Sequence, residues 1–176
     1  AFGGSGPAWE TDALWRRSTR VEPGFIRVDA DEVTYPAHVI LRYRLEKALI
    51  ADAMPLSELP VAWSAGMKEL LGVTVPNDRL GCLQDVHWPS GGWGYFPTYT
   101  LGAMTAAQIF DAACRAPAEI LPGIGRGDFA PLLAWLRTNI HSQGCLLETD
   151  DLLTQATGRP LDASVFKAHL QRRYGG

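Results

Sequence analysis

Apolar residues recur at intervals of three and four along most of the chain, and this periodicity predicts a mainly α protein. Trp9 to Arg20 puts Trp9 with Leu14, and Ala13 with Arg17, on shared faces of a short helix that ends before Pro23-Gly24. From Asp31 to about Ala53, the positions Val33, Ala37, Ile40, Leu41, Leu45, Ala48 and Leu49 build one apolar stripe on a long helix. Pro36 leaves two starts open. With Thr34 as N-cap, Pro36 falls in the first turn, where its missing amide had no partner to lose; with a start near Asp29, Pro36 kinks the helix. Leu59-Pro60 opens a further helix to about Leu71, and Gly72 supplies a left-handed stop.

Helical spacing returns with Leu101, Met104, Thr105, Gln108, Ile109 and Ala112, running to about Arg115 with Pro117 beyond. Asp128 caps a helix on which Phe129, Leu132, Leu133, Leu136 and Ile140 precede Gly144. Thr149 or Asp150 caps a short helix closed by Gly158, and Asp162 caps the last, with Phe166, His169, Leu170 and Arg173 on one side. One interval breaks the pattern: residues 81–102, GCLQDVHWPSGGWGYFPTYTLG, hold five aromatic rings, several glycines and one formal charge. At most one or two short strands are expected, near residues 80–98.

Glycine lets a backbone approach a ligand and rings exclude water, so this interval suits a pocket wall; the alternative is that Trp88, Trp93 and Phe96 pack a core around a rigid turn. His87, Tyr95 and Tyr99 are hydrogen-bond donors suited to an oxyanion, and Gln84 and Asp85 can orient them or bind substrate amides. A second segment, IRVDADEVTY at residues 26–35, surrounds a helix start with Arg27, Asp29, Asp31 and Glu32. Its acids suit the helix dipole, with Arg27 pairing one of them; alternatively Arg27 offers a planar fork to a terminal carboxylate.

Composition narrows the classes. With 176 residues and 47% hydrophobic content the chain can bury a core as one domain, and a net charge of −3 with both signs interspersed excludes a nucleic-acid or anionic-membrane footprint. Cys82, Cys114 and Cys145 form no CxxC pair, which fits a reducing cytoplasm. No apolar run approaches the roughly 20 residues a bilayer requires. The start, AFGGSGPAW, has neither the regions of a signal peptide nor an initiator methionine, as expected of a processed or excised segment. His38, His87, His141 and His169 stand apart, no H-E-x-x-H occurs, and no metal ligands are predicted. G-x-S-x-G and P-loop motifs are also absent.

IRVDADEVTYPAHVILRYRLEKALI, GCLQDVHW and GYFPTYTLG resemble the I-R-x-x-A-D, G-x-x-Q-D-x-H-W and F-P-T-Y-T-L-G motifs of the carboxypeptidase Taq family of zinc-type metallocarboxypeptidases. GDFAPLLAWLRTNIHSQG and ATGRPLDASVFKAHLQRRY resemble that family's C-terminal region. The resemblance implies a mostly helical, gluzincin-like enzyme, often a homodimer, that uses zinc or cobalt to remove C-terminal residues from peptides with broad specificity. It also implies that residues 1–176 are the C-terminal helical portion of the catalytic domain, because the family's metal ligands lie upstream of the matched motifs. By that resemblance Arg27 positions the substrate or its carboxylate, while His87 and Tyr99 are catalytic, with Tyr95 as the reserve for Tyr99. The spacing of His87 and Tyr99 is similar to that of thimet-oligopeptidase-like enzymes, whose tyrosine stabilises the oxyanion. The isolated chain is then expected to be inactive; the alternative is a non-catalytic peptide-binding or assembly module derived from such an enzyme.

Overall fold

Helix dominates the computed structural model, which describes residues 6–115 and 119–175; among these there are eight α-helices and no strand. The chain forms two compact units, residues 1–100 with 173–176, and residues 101–172. The predicted stop at Pro117 lies outside the described residues.

In the first unit, α1 (Thr11–Ser18), α2 (Tyr35–Ile50) and α3 (Leu59–Leu71) are joined by 3₁₀ turns, and α4 (Pro97–Arg115) begins there. Of the two starts open to α2, the structure takes the one that spares it a kink: Pro36 lies in the first turn, after Thr34. Thr34 makes no side-chain cap, however. The carboxylate of Asp31 accepts the amides of Val33 and Thr34 at 3.0 and 2.9 Å and does that work instead.

The expected stripe on α2 is half right. Leu41 and Leu45 are buried, but Ile40 is 41% exposed, and His38, Arg42 and Glu46 occupy the buried face. Arg42 and Glu46 are tolerated there because they find partners across the fold. Leu41, Leu45, Leu59, Trp63, Met67 and Cys82 form the core between α2 and α3. The two helices meet at Gly66, where an added Cβ would lie 2.2 Å from Leu41 Cδ1, so a larger residue would have to displace the Leu41 side chain. Helix α3 ends as predicted at Gly72, with φ 71°.

No strand occurs among the described residues 80–98, within the expected limit of at most one or two. The backbone bonds back on itself instead: Gly91 donates to the Trp88 carbonyl at 3.0 Å and Gly92 to that of His87 at 2.7 Å. Gly91 and Gly94 adopt φ of 79° and 77°, which no strand accepts. Helix α4 starts at Pro97, four residues before the periodicity predicts, and so takes Tyr99 into its first turn.

The second unit holds α5 (Ile120–Gly125), α6 (Ala130–Asn139), α7 (Thr149–Thr157) and most of both α4 and α8 (Ala163–Tyr174), the last two residues of α8 falling in the first unit. Asp128 accepts the Ala130 amide at 3.0 Å at the start of α6, and Asp162 accepts that of Ser164 at 2.8 Å at the start of α8. Phe129 and Leu133, expected on a buried stripe, are exposed, and α6 contains no buried residue. Among the described residues the buried positions are Ala112, Ala113, Ile120, Gly123, Leu153 and Phe166, with one amide, Gln108. Gln108 donates to Thr157 Oγ1 and to the carbonyls of Arg159 and Pro160, and accepts the Asp162 amide at 2.8 Å. Among the described residues no helix is long and apolar enough to cross a membrane.

Candidate functional site

Two segments far apart in sequence meet in the first unit. The 3₁₀ turn Arg27–Asp29 delivers Arg27, which is 5% exposed, onto the Gln84-Asp85 dipeptide. Its Nε and Nη2 donate to Asp85 Oδ1 at 3.1 and 2.8 Å, its Nη1 donates to the Tyr35 hydroxyl at 2.6 Å, and its backbone amide donates to Gln84 Oε1 at 2.9 Å. The planar fork expected to face a substrate carboxylate is therefore held by Asp85 in this structure.

Arg42, wholly buried on α2, approaches the same dipeptide. Its Nε donates to Asp85 Oδ2 at 2.6 Å, its Nη2 to Gln84 Oε1 at 2.8 Å and its Nη1 to the His38 carbonyl at 2.9 Å, while its guanidinium lies 4.5 Å over the Trp63 ring. Gln84 Nε2 donates to the carbonyls of Phe25, Leu80 and Gly81. Gln84 and both oxygens of Asp85 are thus engaged within the chain.

Charge follows from this packing. Burial opposes ionisation of Asp85, but the Arg42 charge and the Arg27 and Arg42 hydrogen bonds outweigh it and hold the carboxyl below its ordinary range. Burial pushes Arg42 down to about 10, which leaves it charged at neutral pH. For Arg27 burial also pushes downward, yet the hydrogen bond and charge of Asp85, with a further contribution from Tyr35, raise it. His38, beside them, is pushed down to about 4 by burial and by the two guanidinium groups, and neither of its ring nitrogens has a hydrogen-bond partner.

His87 follows Asp85 by two positions, and its Nε2 shares a 2.8 Å hydrogen bond with the Tyr99 hydroxyl. Its Nδ1 lies 3.9 Å from Asp85 Oδ1, too far for a hydrogen bond. The His87 ring sits 4.4 Å from that of Phe96 and 5.9 Å from that of Tyr95, while the Arg27 guanidinium stands 4.8 Å over the Tyr99 ring. The aromatic interval divides between its two expected roles. Phe96 is core at 1% exposure, whereas Trp93, stacked on Trp88, and Tyr95 are half exposed. A hydrogen-bonded histidine–tyrosine pair therefore sits beside exposed aromatic rings, with a buried charged network behind it.

The structure thus gathers His87, Tyr99, Tyr95, Arg27, Gln84 and Asp85 in one place, with Tyr95 next to the His87–Tyr99 pair but not in its hydrogen bond. Sequence reasoning missed His38, Arg42, Glu46 and Tyr35. A signal was present: His38, Arg42 and Glu46 recur every four residues along the face that also carries Leu41 and Leu45, a row of polar groups facing a core. Among the described residues no group of three or more His, Cys, Asp or Glu side chains is placed to hold a metal ion.

Residues 1–174 match the family described as Carboxypeptidase Taq (M32) metallopeptidase. Thermostable carboxypeptidase 1 of Thermus thermophilus is 42% identical over 154 residues, covering 88% of this chain and 30% of that protein. Carboxypeptidase 1 of Bacillus subtilis is 38% identical over 163 residues, covering 93% and 32%. Among solved structures, Trypanosoma cruzi metallocarboxypeptidase 1 superposes with a TM-score of 0.94 at 44% identity, over 98% of this chain and 36% of that one. The chain spans about a third of the length of the relatives it matches. On the extent of the family match and these identities, the chain belongs to the carboxypeptidase Taq (M32) metallopeptidase family.

Proposed function

We propose that this chain is the substrate-facing, oxyanion-donating part of a metallocarboxypeptidase that releases C-terminal residues from peptides. The observation that supports it is the 2.8 Å hydrogen bond between His87 and Tyr99 at the margin of an aromatic wall. A carbonyl oxygen gains negative charge as its carbon is attacked, and donors already in place stabilise that charge without reorganisation. Tyr99 donates its O–H to that oxygen, and His87 orients the hydroxyl by donating its Nε2–H to the phenol oxygen, which leaves the phenol proton free for substrate. Tyr95, exposed beside both, lines the approach.

Arg27, Gln84 and Asp85 act from behind. Their hydrogen-bonding capacity is committed to one another and to Arg42, so they hold the donors in place and set the charge beneath the rings. The family implies a metal, for which the reading favours zinc or cobalt. The described residues do not form a site for it, so no step of the reaction is assigned through it to this chain. Residues 1–176 act as the C-terminal portion of a catalytic domain, and by themselves they do not hydrolyse peptides; a homodimeric, cytoplasmic enzyme is the setting this reading expects.

Two assays test the proposal. The chain alone, given a blocked dipeptide with zinc or cobalt, is expected to release no C-terminal residue, and metal-dependent release overturns the assignment of the chain as a part. A chimera is then made in which this chain replaces the matching third of the Thermus thermophilus relative. There Tyr99→Phe is expected to lower kcat by about 10²-fold or more. An unchanged kcat removes the oxyanion role from Tyr99.

A further inference from the structure

The turn bearing His87 is gripped at both ends by one helix. We propose that Arg42 and Glu46, a helical turn apart on α2, are positioning residues for the His87–Tyr99 pair. Ahead of His87, Arg42 holds Gln84 and Asp85 through their acceptor oxygens. Beyond His87, the Glu46 carboxylate accepts the Trp88 indole N–H at 3.3 Å with Oε2 and the Gly94 backbone amide with Oε1. The polarity of each grip matches its target, a cation on acceptors and an anion on donors.

The gripping side chains are buried, Arg42 at 0% and Glu46 at 4% exposure, which strengthens these bonds relative to bonds in open solvent. Spacing four residues apart places the two side chains one above the other on the same face. Between the grips the turn is tight: the His87 carbonyl accepts the Gly92 amide at 2.7 Å, and a Cβ on Gly92 would stand 3.1 Å from that oxygen. Glycines at 91 and 94 allow the backbone to fold this way without fixing where the turn lies. Its location, and with it the direction of the His87 ring toward Tyr99, is set from α2 by Arg42 and Glu46, while Arg27 holds Gln84 and Asp85 from the opposite segment. Donor geometry matters at the level of about half an ångström, so residues that touch no substrate govern what the pair does.

The inference rests on the proposed function only for what the pair does to substrate; the positioning itself is read without activity. The chain is labelled with ¹⁵N-histidine, and the ring-nitrogen signals of His87 are compared in wild type, Arg42→Lys and Glu46→Gln. Wild-type His87 is expected in a single protonation pattern with one ring nitrogen bonded to Tyr99. Both variants are expected to split or shift the His87 signals while those of His141 and His169 stay in place. A purely stabilising role would lower the melting temperature and leave native His87 signals unmoved, and that result overturns the proposal. If Arg42→Lys does not fold, Glu46→Gln and Trp88→Phe, which deletes one donor to Glu46, decide the matter by the same criterion. In the chimera, Glu46→Gln is expected to lower kcat roughly 10-fold with KM nearly constant. Moved His87 signals with an unchanged kcat uphold the positioning and refute the catalytic assignment of the pair instead.

Discussion

The two units bury polar groups in contrasting ways. In the first, Arg27, Arg42 and Glu46 are inside with His38, and Asp85 is nearly so; in the second, the buried polar side chain among the described residues is the uncharged amide of Gln108. Gln108 is satisfied on both its oxygen and its nitrogen, whereas His38 has neither ring nitrogen bonded and Thr34 Oγ1 and Trp63 Nε1 also lack partners. The second unit thus uses a polar residue as a peg between a helix and the segment ahead of α8. The first spends stability on a charge network, and the donors proposed to act on substrate stand on it.

The sharpest way to break this contrast is Asp85→Ala. It leaves two buried guanidinium groups without a carboxylate, and a loss of about 3–5 kcal/mol is expected in urea titrations followed by tryptophan fluorescence. A loss below about 1 kcal/mol would mean the network is not a structural centre.

Next in size is the response to acid. The His38 pKa in the folded chain lies near 4, below the ordinary 6.5, so the unfolded chain binds the proton more readily. That contribution is fully present above pH 6.5 and is lost as pH falls toward 4, by about 3 kcal/mol in all. Asp85, also held below its ordinary range, adds a further loss under about pH 4. His38→Leu should flatten the urea midpoint between pH 6.5 and 4, and an unchanged pH profile in that variant would place the sensitivity elsewhere.

Gln108→Leu probes the other side of the comparison. It strands the Asp162 amide, and about 1–3 kcal/mol is expected, measured in the same titration at pH 7. This loss should not vary between pH 6.5 and 4, because no charge is involved.

Two glycines close the series, one of them with the smallest expected effect. Gly66→Ala drives a methyl group into Leu41 in the first unit and should cost about 1–3 kcal/mol. Gly102→Ala, on α4 in the second unit, meets nothing within 4 Å and should stabilise by about 0.5–1 kcal/mol. Melting temperatures moving in opposite directions would sharpen the picture of a close-packed first unit; equal shifts would remove it.

Much of the helical framework was legible in the sequence because its signals are local. Gly72 and Gly158 stop helices where their positive φ predicts, and Asp128 and Asp162 bind the amides their positions suggest. Helix α5, only six residues long, is too short for periodicity to reveal. The early start of α4 was legible too, in Pro97 at the first helical position, but the aromatic run around it drew the boundary toward Leu101. Ile40 misled for a different reason: apolar spacing tells which residues share a face, not which of two flanking faces packs inward.

For the candidate site, sequence by itself determined the candidates: His87, Tyr99, Arg27, Gln84 and Asp85 stand in motifs whose residue types and order carry the family resemblance. Only the tertiary structure decided how they divide the work. Whether the Arg27 fork is open or occupied depends on Asp85, 58 positions away, and the seat of the His87 turn depends on Arg42 and Glu46 on another helix. Hydrogen bonds between such distant residues leave no periodic trace, because each is set by where two elements pack and not by the spacing within either one.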